Sequence, residues 1–326
     1  MQILVTGASG LIGSHVAESL ARTGHRVVAT GRNTQALKPL VDLGCQAVSA
    51  DLASDSLSTL VNGCEAIVHC AAMAAPWGDR LVFWRHNVLA TERLLAAAKN
   101  ARSVSRFVQL SSPSIYFSWQ DELDRTEAFE PPRRWPTPYA ETKWIAECRV
   151  REARSLGPII LRPRAVFGPR DRAIMPRLVA VARRGRFPLP GGGRAWTDVT
   201  AVANVVIAVE AALNAHPSIE GRAFNITNGT PLQVRDVLTR LFSVLHIRTR
   251  FVSIPRVMGA AAAAVIEAYH RRRPGAPEPP VTRYGMGLLG YSQTLSIAAA
   301  RDLLGYQPRV SIDEGLARYA QWWAAQ

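Results

Sequence analysis

Short apolar runs recur along the first half of the chain, and each stops at small or polar residues. Ile3, Leu4 and Val5 end at Thr6-Gly7. Residues 24–33 (GHRVVATGRN), Gln46–Ser49, Ala66–His69 and Arg106–Leu110 repeat the shape, and residues 157–168 (GPIILRPRAVFG) give a sixth run and a turn. Runs this short, bounded by turn residues, read as strands buried on both faces. Between them the spacing turns helical: Leu11, Ile12, Val16 and Leu20 after the first run, and Val88, Leu94, Leu95 and Ala98 within residues 87–101. Strand alternating with helix predicts an α/β protein with a doubly wound parallel sheet. Further on, the pattern predicts an amphipathic helix over 174–184, a glycine-rich loop over 185–199, a helix over 204–213, and a strand over 222–227 returning to the sheet edge.

The first strand-to-helix turn carries the first candidate chemistry. Gly7-x-x-Gly10-x-x-Gly13 supplies positive-φ freedom, then a bare backbone that a pyrophosphate can approach, then a small contact where helix crosses strand. An anion would sit on the N–H groups of the helix start, with Ser9, Leu11 and Ile12 between the glycines. The spacing TGxxGxxG differs from the shorter form of long-chain dehydrogenases. It resembles the extended short-chain dehydrogenase/reductase superfamily of epimerases, dehydratases and 3β-hydroxysteroid dehydrogenase-like enzymes. That resemblance implies a Rossmann-type domain over 1–167, with a return at about 195–228, and a smaller C-terminal substrate-binding subdomain over 168–326.

Composition narrows the picture. With 326 residues, 48% of them hydrophobic, the chain can bury one large or two intimate cores. No run of eighteen apolar residues occurs and the first strand begins at once, so a soluble cytoplasmic protein is expected. Cys45, Cys64, Cys70 and Cys148 lack metal-type spacing; reduced cysteines and no metal are expected. The net charge of +14 comes almost entirely from arginine. Without an aromatic-interleaved or helix-turn-helix pattern it does not argue for nucleic acid.

The strand ends suggest the rest of the cofactor site. After the second strand stand Thr30, Gly31 and Arg32, with no carboxylate to accept a ribose hydroxyl and a guanidinium that suits a 2′-phosphate, so NADP(H) is favoured over NAD(H). Asp51, followed by Leu52, matches the superfamily's adenine-contacting acid, or else caps the helix that follows. Ala71 and Ala72 leave room beside the cofactor, and His69 reads as a core histidine. The opening of NVLATERLLAAAKNA resembles the NVxGTxNLLxAA helix of extended members; Asn87 is then an orienting residue, or else an exposed residue at a helix start.

Two further motifs complete the centre. LSSPSIYF, residues 110–117, puts Ser112 at the hydroxyl position of the family's SSxx(V/I)Y pattern, with Ser111 and Ser114 as turn neighbours. PYAETKWIAE, residues 138–147, starts a helix at Pro138 and sets Tyr139 and Lys143 one turn apart on one face. A phenol near pKa 10 is a poor base at neutral pH, and an ammonium one turn away is expected to lower that value. Tyr139 would then exchange a proton with a carbinol or carbonyl oxygen held by Ser112 while nicotinamide exchanges a hydride. The resemblance also implies that Lys143 and Tyr139 touch the nicotinamide ribose and that Pro163 and Val166, in the LRPxxVFGPxD-like element, pass near the ring. Arg164 and Arg170 either face substrate or are solvated, and residues 118–137 read as a loop over the site.

Three function classes follow. SSPSIYF is closest to the 3β-hydroxysteroid dehydrogenase and 2-alkyl-3-oxoalkanoate reductase group, which implies an oxidoreductase acting on a lipophilic secondary alcohol or ketone. A nucleotide-sugar epimerase with tightly held NAD is the alternative; a 4,6-dehydratase is disfavoured because Pro113 and Ser114 stand where its acids would. A non-catalytic nucleotide sensor is the third. Residues 254–266 and Arg271 to Arg273 read as a packed Ala-rich helix with a basic end, ahead of a peripheral membrane contact. A homodimer is left open.

Overall fold

The computed structural model describes residues 1–326. Seven strands build one parallel sheet, numbered in chain order: β1 (Gln2–Thr6), β2 (Arg26–Gly31), β3 (Gln46–Ser49), β4 (Ala66–His69), β5 (Arg106–Leu110), β6 (Pro158–Pro163) and β7 (Ala223–Ile226). Their spatial order is 7-6-5-4-1-2-3, with β1 flanked by β2 and β4 (Val5 opposite Ala29 and Val68). The chain thus reverses direction across the sheet between β1 and β4, which opens a crevice outside their carboxyl ends. Every run becomes a strand here, and those inside the sheet do not alternate because both of their faces are covered, whereas the edge strand β3 has no buried residue. Ile3 and Val5 pack with Val16 and Leu20 of the Leu11–Arg22 helix on one side. Leu4 packs with Ile67, Leu94 and Phe107 on the other.

A third apolar cluster lies in the C-terminal half, where Phe187, Leu189, Leu238, Leu241, Phe242, Leu316 and Tyr319 meet. Here the structure departs from expectation. Part of the supposed loop over 185–199 is a strand, Arg186–Pro190, paired in parallel with Arg250–Ile254. Its two prolines hid it; proline is tolerated because this two-stranded ribbon is all edge. Within 118–137, Glu122–Arg125 pairs with Gln293–Leu295, so this loop is tied to the C-terminal half. The Ala-rich segment is a helix, Arg256–Arg271, but it is not packed all round. Only Gly259 and Ala263 are buried, while Val257 and Val265 are 78% and 71% exposed. No helix is long and apolar enough to cross a membrane.

Candidate active site

The glycine turn closes over the switch point. Gly7 has φ +66°, and a Cβ there would come within 2.7 Å of Ala71 N, because the turn after β1 packs directly on the turn after β4. At Gly13 a Cβ would lie 2.3 Å from Gly7 O, so helix and turn can meet only at glycine. No side chain caps the N-terminus of the Leu11–Arg22 helix. Its first N–H groups, at Leu11, Ile12 and Gly13, are therefore free to face an anion. A cleft of about 170 Å³ opens beside them, lined by Gly7, Ser9, Gly10, Arg32, Asp51, Leu52, Ala71 and Ala72. Bare backbone, uncapped N–H groups and small side chains fit a pyrophosphate and its two nucleosides.

The far end of the cleft holds more charge than the motifs reveal. Arg85 and His86 come to 3.9 and 4.0 Å from Asp51, and Arg32 is close enough to push the His86 imidazole below its ordinary pKa, with burial the larger cause. Arg85 and His86 sit on a π-helical turn, Trp84–Leu89, which no helical periodicity signals. Asp51 lines the cleft and also accepts from Ala53 N at 3.0 Å, an Asx turn rather than the cap of a helix.

The same turn carries Asn87, which is 2% exposed and not a surface residue of a helix start. Its Oδ1 accepts from Met73 N at 2.7 Å and its Nδ2 donates to Thr142 Oγ1 at 3.0 Å. It therefore ties the segment after β4 to the Pro138–Glu152 helix, which carries Tyr139 and Lys143. Arg80 grips Glu141 of that helix with two hydrogen bonds, of 2.9 and 2.7 Å, and Phe83 lies against the Tyr139 ring at 6.4 Å. Ser112 follows β5 by two residues and accepts from Ser114 N at 3.2 Å. Burial pushes the Tyr139 phenol up, and the Ser112 hydroxyl beside it acts the other way. The buried Lys143 ammonium turns aside to donate to Leu110 O at 2.5 Å, and burial holds it down at about 8. The expected depression of Tyr139 by Lys143 is thus not found. Burial is the dominant cause instead, and a phenol held above its ordinary value keeps its proton at neutral pH.

A model of the NAD dependent epimerase/dehydratase family matches residues 3–227. The chain belongs to this family. The 2-alkyl-3-oxoalkanoate reductase of Stenotrophomonas maltophilia is 34% identical over 98% of this chain and 98% of its own. The decarboxylating sterol-4-alpha-carboxylate 3-dehydrogenase of Mus musculus is 28% identical over 97% of this chain and 87% of its own. A UDP-glucuronic acid 4-epimerase of Bacillus cereus, solved with NAD, shares the fold at a TM-score of 0.78 and 22% identity, over 99% of this chain and 96% of that one. The epimerase/dehydratase family member described here is an oxidoreductase of the extended short-chain dehydrogenase/reductase type, in the 3β-hydroxysteroid dehydrogenase-like group.

Several neighbouring polar groups prove to be fastening in this family member. Ser111 donates to Glu147 Oε2 at 2.7 Å and Tyr116 donates to Asn225 Oδ1 at 3.0 Å, whereas the Ser112 hydroxyl only accepts from Ser114 N and the buried Ser114 hydroxyl has no partner. His69 has its hydrogen bonds fixed in one direction. Thr91 donates to Asn87 O at 2.6 Å and so accepts from His69 Nε2 at 3.0 Å; with the proton of the neutral ring on Nε2, Nδ1 accepts from the Thr6 hydroxyl at 2.7 Å. The imidazole is neutral and structural, as its apolar strand suggested. Burial, with Lys143 adding to it, holds its pKa down at about 3. His15 is likewise held at about 4, chiefly by burial. An unfolded histidine titrates near 6.5, so the unfolded chain binds the extra protons below that pH. Stability from these neutral rings is complete above about pH 6.5 and is lost as pH falls through the folded values. The urea midpoint is expected to drop between about pH 7 and pH 5, and His69→Asn to flatten the slope. A midpoint constant across that window would contradict it.

Not every expected residue lines the cleft. Gly13, Leu11 and Ile12 lie beneath it as the helix start, Pro163 ends β6, and Val166 pairs with Thr200 beyond it. Tyr139 and Lys143 flank it from the Pro138–Glu152 helix. Arg170 is taken by Glu18 of the first helix, away from the crevice, whereas Arg164 is buried. Thr30, Gly31, Cys70, Met73 and His86 line the cleft without having been singled out as binding residues.

Proposed function

We propose that the protein transfers a hydride between NADP(H) and the C3 oxygen-bearing carbon of a lipophilic 3-oxo or 3-hydroxy compound, acting chiefly as a ketone reductase. The observation that carries this reading is the protonated Tyr139 phenol beside the Ser112 hydroxyl, on a helix anchored next to the glycine cleft. In the reductive direction Ser112 orients the carbonyl oxygen and Tyr139 gives it a proton, and the dihydronicotinamide, when bound, supplies the hydride. Lys143 holds the end of β5 through Leu110 O and keeps a cation beneath the site. Asn87 positions the helix. Gly7, Ser9, Gly10, Leu11, Ile12 and Gly13 would hold the pyrophosphate, with Ala71, Ala72, Pro163 and Val166 on the nicotinamide side. Both named relatives act on an oxygen at carbon 3, one in an oxoalkanoate and one in a sterol, which favours a net oxidoreductase over a nucleotide-sugar epimerase.

The NADP(H) preference is supported by Arg32, which lines the cleft at the end of β2 with no carboxylate on that strand end, and by His86 beside it. Initial rates should favour NADPH over NADH by at least about tenfold, and Arg32→Asp should reverse the order. A tenfold preference of the native protein for NADH would overturn this. Turnover of NADPH with a 3-oxo substrate supports the reductase; tightly carried NAD with no net turnover on any ketone supports the epimerase.

A further inference from the structure

The Arg256–Arg271 helix turns its apolar face to solvent. Val257 and Val265, two helical turns apart, mark a stripe along the outer side, and Met258 and Tyr269, 65% and 62% exposed, widen it. Only alanine stands between them on that face. A surface helix ordinarily does the reverse, showing water its polar face. Here the charged side chains of the helix body lie on the inner side. Arg256 donates to Asp121 at 2.7 Å, and Glu267 accepts from Arg283 N at 2.7 Å. Between them Gly259 packs so closely on the Arg283–Gly290 helix that a Cβ would lie 2.7 Å from Met286 Cε. The stripe is therefore fixed outward from both ends, and no other part of the chain covers it.

The stripe runs into positive charge. One turn past Ala268 stands Arg272, with Arg271 and Arg273 on either side, all three exposed. The nearby carboxylates are already engaged, Glu267 by Arg283 N and at 3.9 Å by Arg271, and Glu278 by Arg177 at 3.0 Å, which leaves Arg272 and Arg273 without an acidic partner. Aromatic rings stand where the two zones meet. Arg273 lies over the Tyr269 ring at 5.8 Å and Arg271 over the Trp77 ring at 5.2 Å, and the Trp77 indole donates to Ala276 O at 2.8 Å. Rings with an apolar body and a polar edge favour the boundary between lipid acyl chains and head groups.

The size of the face decides what covers it. The helix has 16 residues, so at about 1.5 Å per residue and about 10 Å across it offers roughly 240 Å². Each chain of a stable protein pair buries about 800 Å². A nucleic acid would satisfy the arginines and leave Val257, Met258 and Val265 in water. A bilayer answers both zones, because apolar side chains sink about 5–10 Å to the acyl boundary while arginines beside them meet anionic head groups. We propose that the Arg256–Arg271 helix, with Arg271 to Arg273, docks the protein reversibly on an anionic phospholipid bilayer, the helix lying in the plane of the interface. The assignment stands apart from the hydride-transfer reading, since no residue of the cofactor cleft takes part in it.

The experiment is co-sedimentation with vesicles of phosphatidylcholine, with and without about 30% phosphatidylglycerol, at about 0.05 M NaCl. The native protein is expected to partition onto the phosphatidylglycerol vesicles at least about tenfold more strongly than onto phosphatidylcholine alone, and about 0.5 M NaCl to weaken that binding by a similar factor. Val257→Ser combined with Val265→Ser, which leaves the charge unchanged, should weaken it about tenfold or more. Arg272→Ala combined with Arg273→Ala should also weaken it about tenfold. All four side chains are exposed, so the urea midpoints of both variants should stay at the native value. Failure to sediment with either vesicle, or equal sedimentation with both, overturns the assignment. So does binding that the serine variant retains in full, which would trace it to the overall charge of +14 and not to the helix. A dimer in solution that the serine variant loses, with no vesicle binding, overturns it in favour of a second copy of the chain.

Discussion

Tyr139→Phe should lose roughly 10²- to 10⁴-fold in kcat for NADPH-dependent reduction of a 3-oxo substrate, with NADPH affinity within a few-fold of native. The substitution keeps the ring that Phe83 packs against at 6.4 Å and removes only the hydroxyl beside Ser112. The cofactor cleft is built mainly by Gly7, Ser9, Gly10, Arg32 and the segment after β4, none of which touches that hydroxyl. Proton supply and cofactor binding are therefore separable. Ser112→Ala removes one orienting hydrogen bond and leaves the proton donor, so its loss should be smaller than that of Tyr139→Phe. Steady-state rates together with a fluorescence titration of NADPH check both. A Tyr139→Phe protein that kept a tenth of native kcat would show that another group delivers the proton.

The sheet and the core of the site were legible because they rest on local signals. Buried parallel strands are continuous apolar runs, so Ala66–His69 and Arg106–Leu110 could be read to the residue. The glycine turn announces itself because only glycine tolerates a neighbour at 2.3 Å or φ of +66°. Position 112 followed from the resemblance to the family's SSxx(V/I)Y pattern, and the structure sets it two residues past β5. What escaped depends on pairing between distant segments. His86 lines the cleft and Arg85 approaches Asp51 from residues 84–89, which wind as a π turn that no helical period announces. The small C-terminal strands run two to five residues, with proline or charge among them, and carry no periodicity. The direction of the Lys143 ammonium was also hidden, since helical spacing fixes which face a side chain leaves and not which carbonyl it finds.

The clearest of these long-range pairings carries the second large expectation, a stability loss of about 3–5 kcal/mol for Arg162→Met. Glu147 on the Pro138–Glu152 helix and Arg162 on β6 are both fully buried. Glu147 accepts from Ser111 at 2.7 Å, from Arg151 at 2.7 Å and from both Nε and Nη of Arg162, while Arg162 also donates to Tyr116 and to Glu127 O. Burial pushes the Glu147 carboxyl up, but the Arg162 guanidinium and its hydrogen bonds, with Arg151 and Ser111, together hold it below its ordinary pKa. Removing Arg162 leaves a buried carboxylate with the partly exposed Arg151 and, at longer range, Lys143 as its cations, and it strips Tyr116 and Glu127 O of their donor. The helix so released is the one that carries Tyr139 and Lys143, so activity at 37 °C should fall along with the urea midpoint. Glu147→Leu alone should cost a similar amount by stranding Arg162. The double variant should be less destabilised than the sum of the singles, because most of each single loss is the desolvated charge left behind. Strict additivity of the three midpoints would mean that the two groups stabilise the helix independently and that the ion pair is not what fastens it to the sheet.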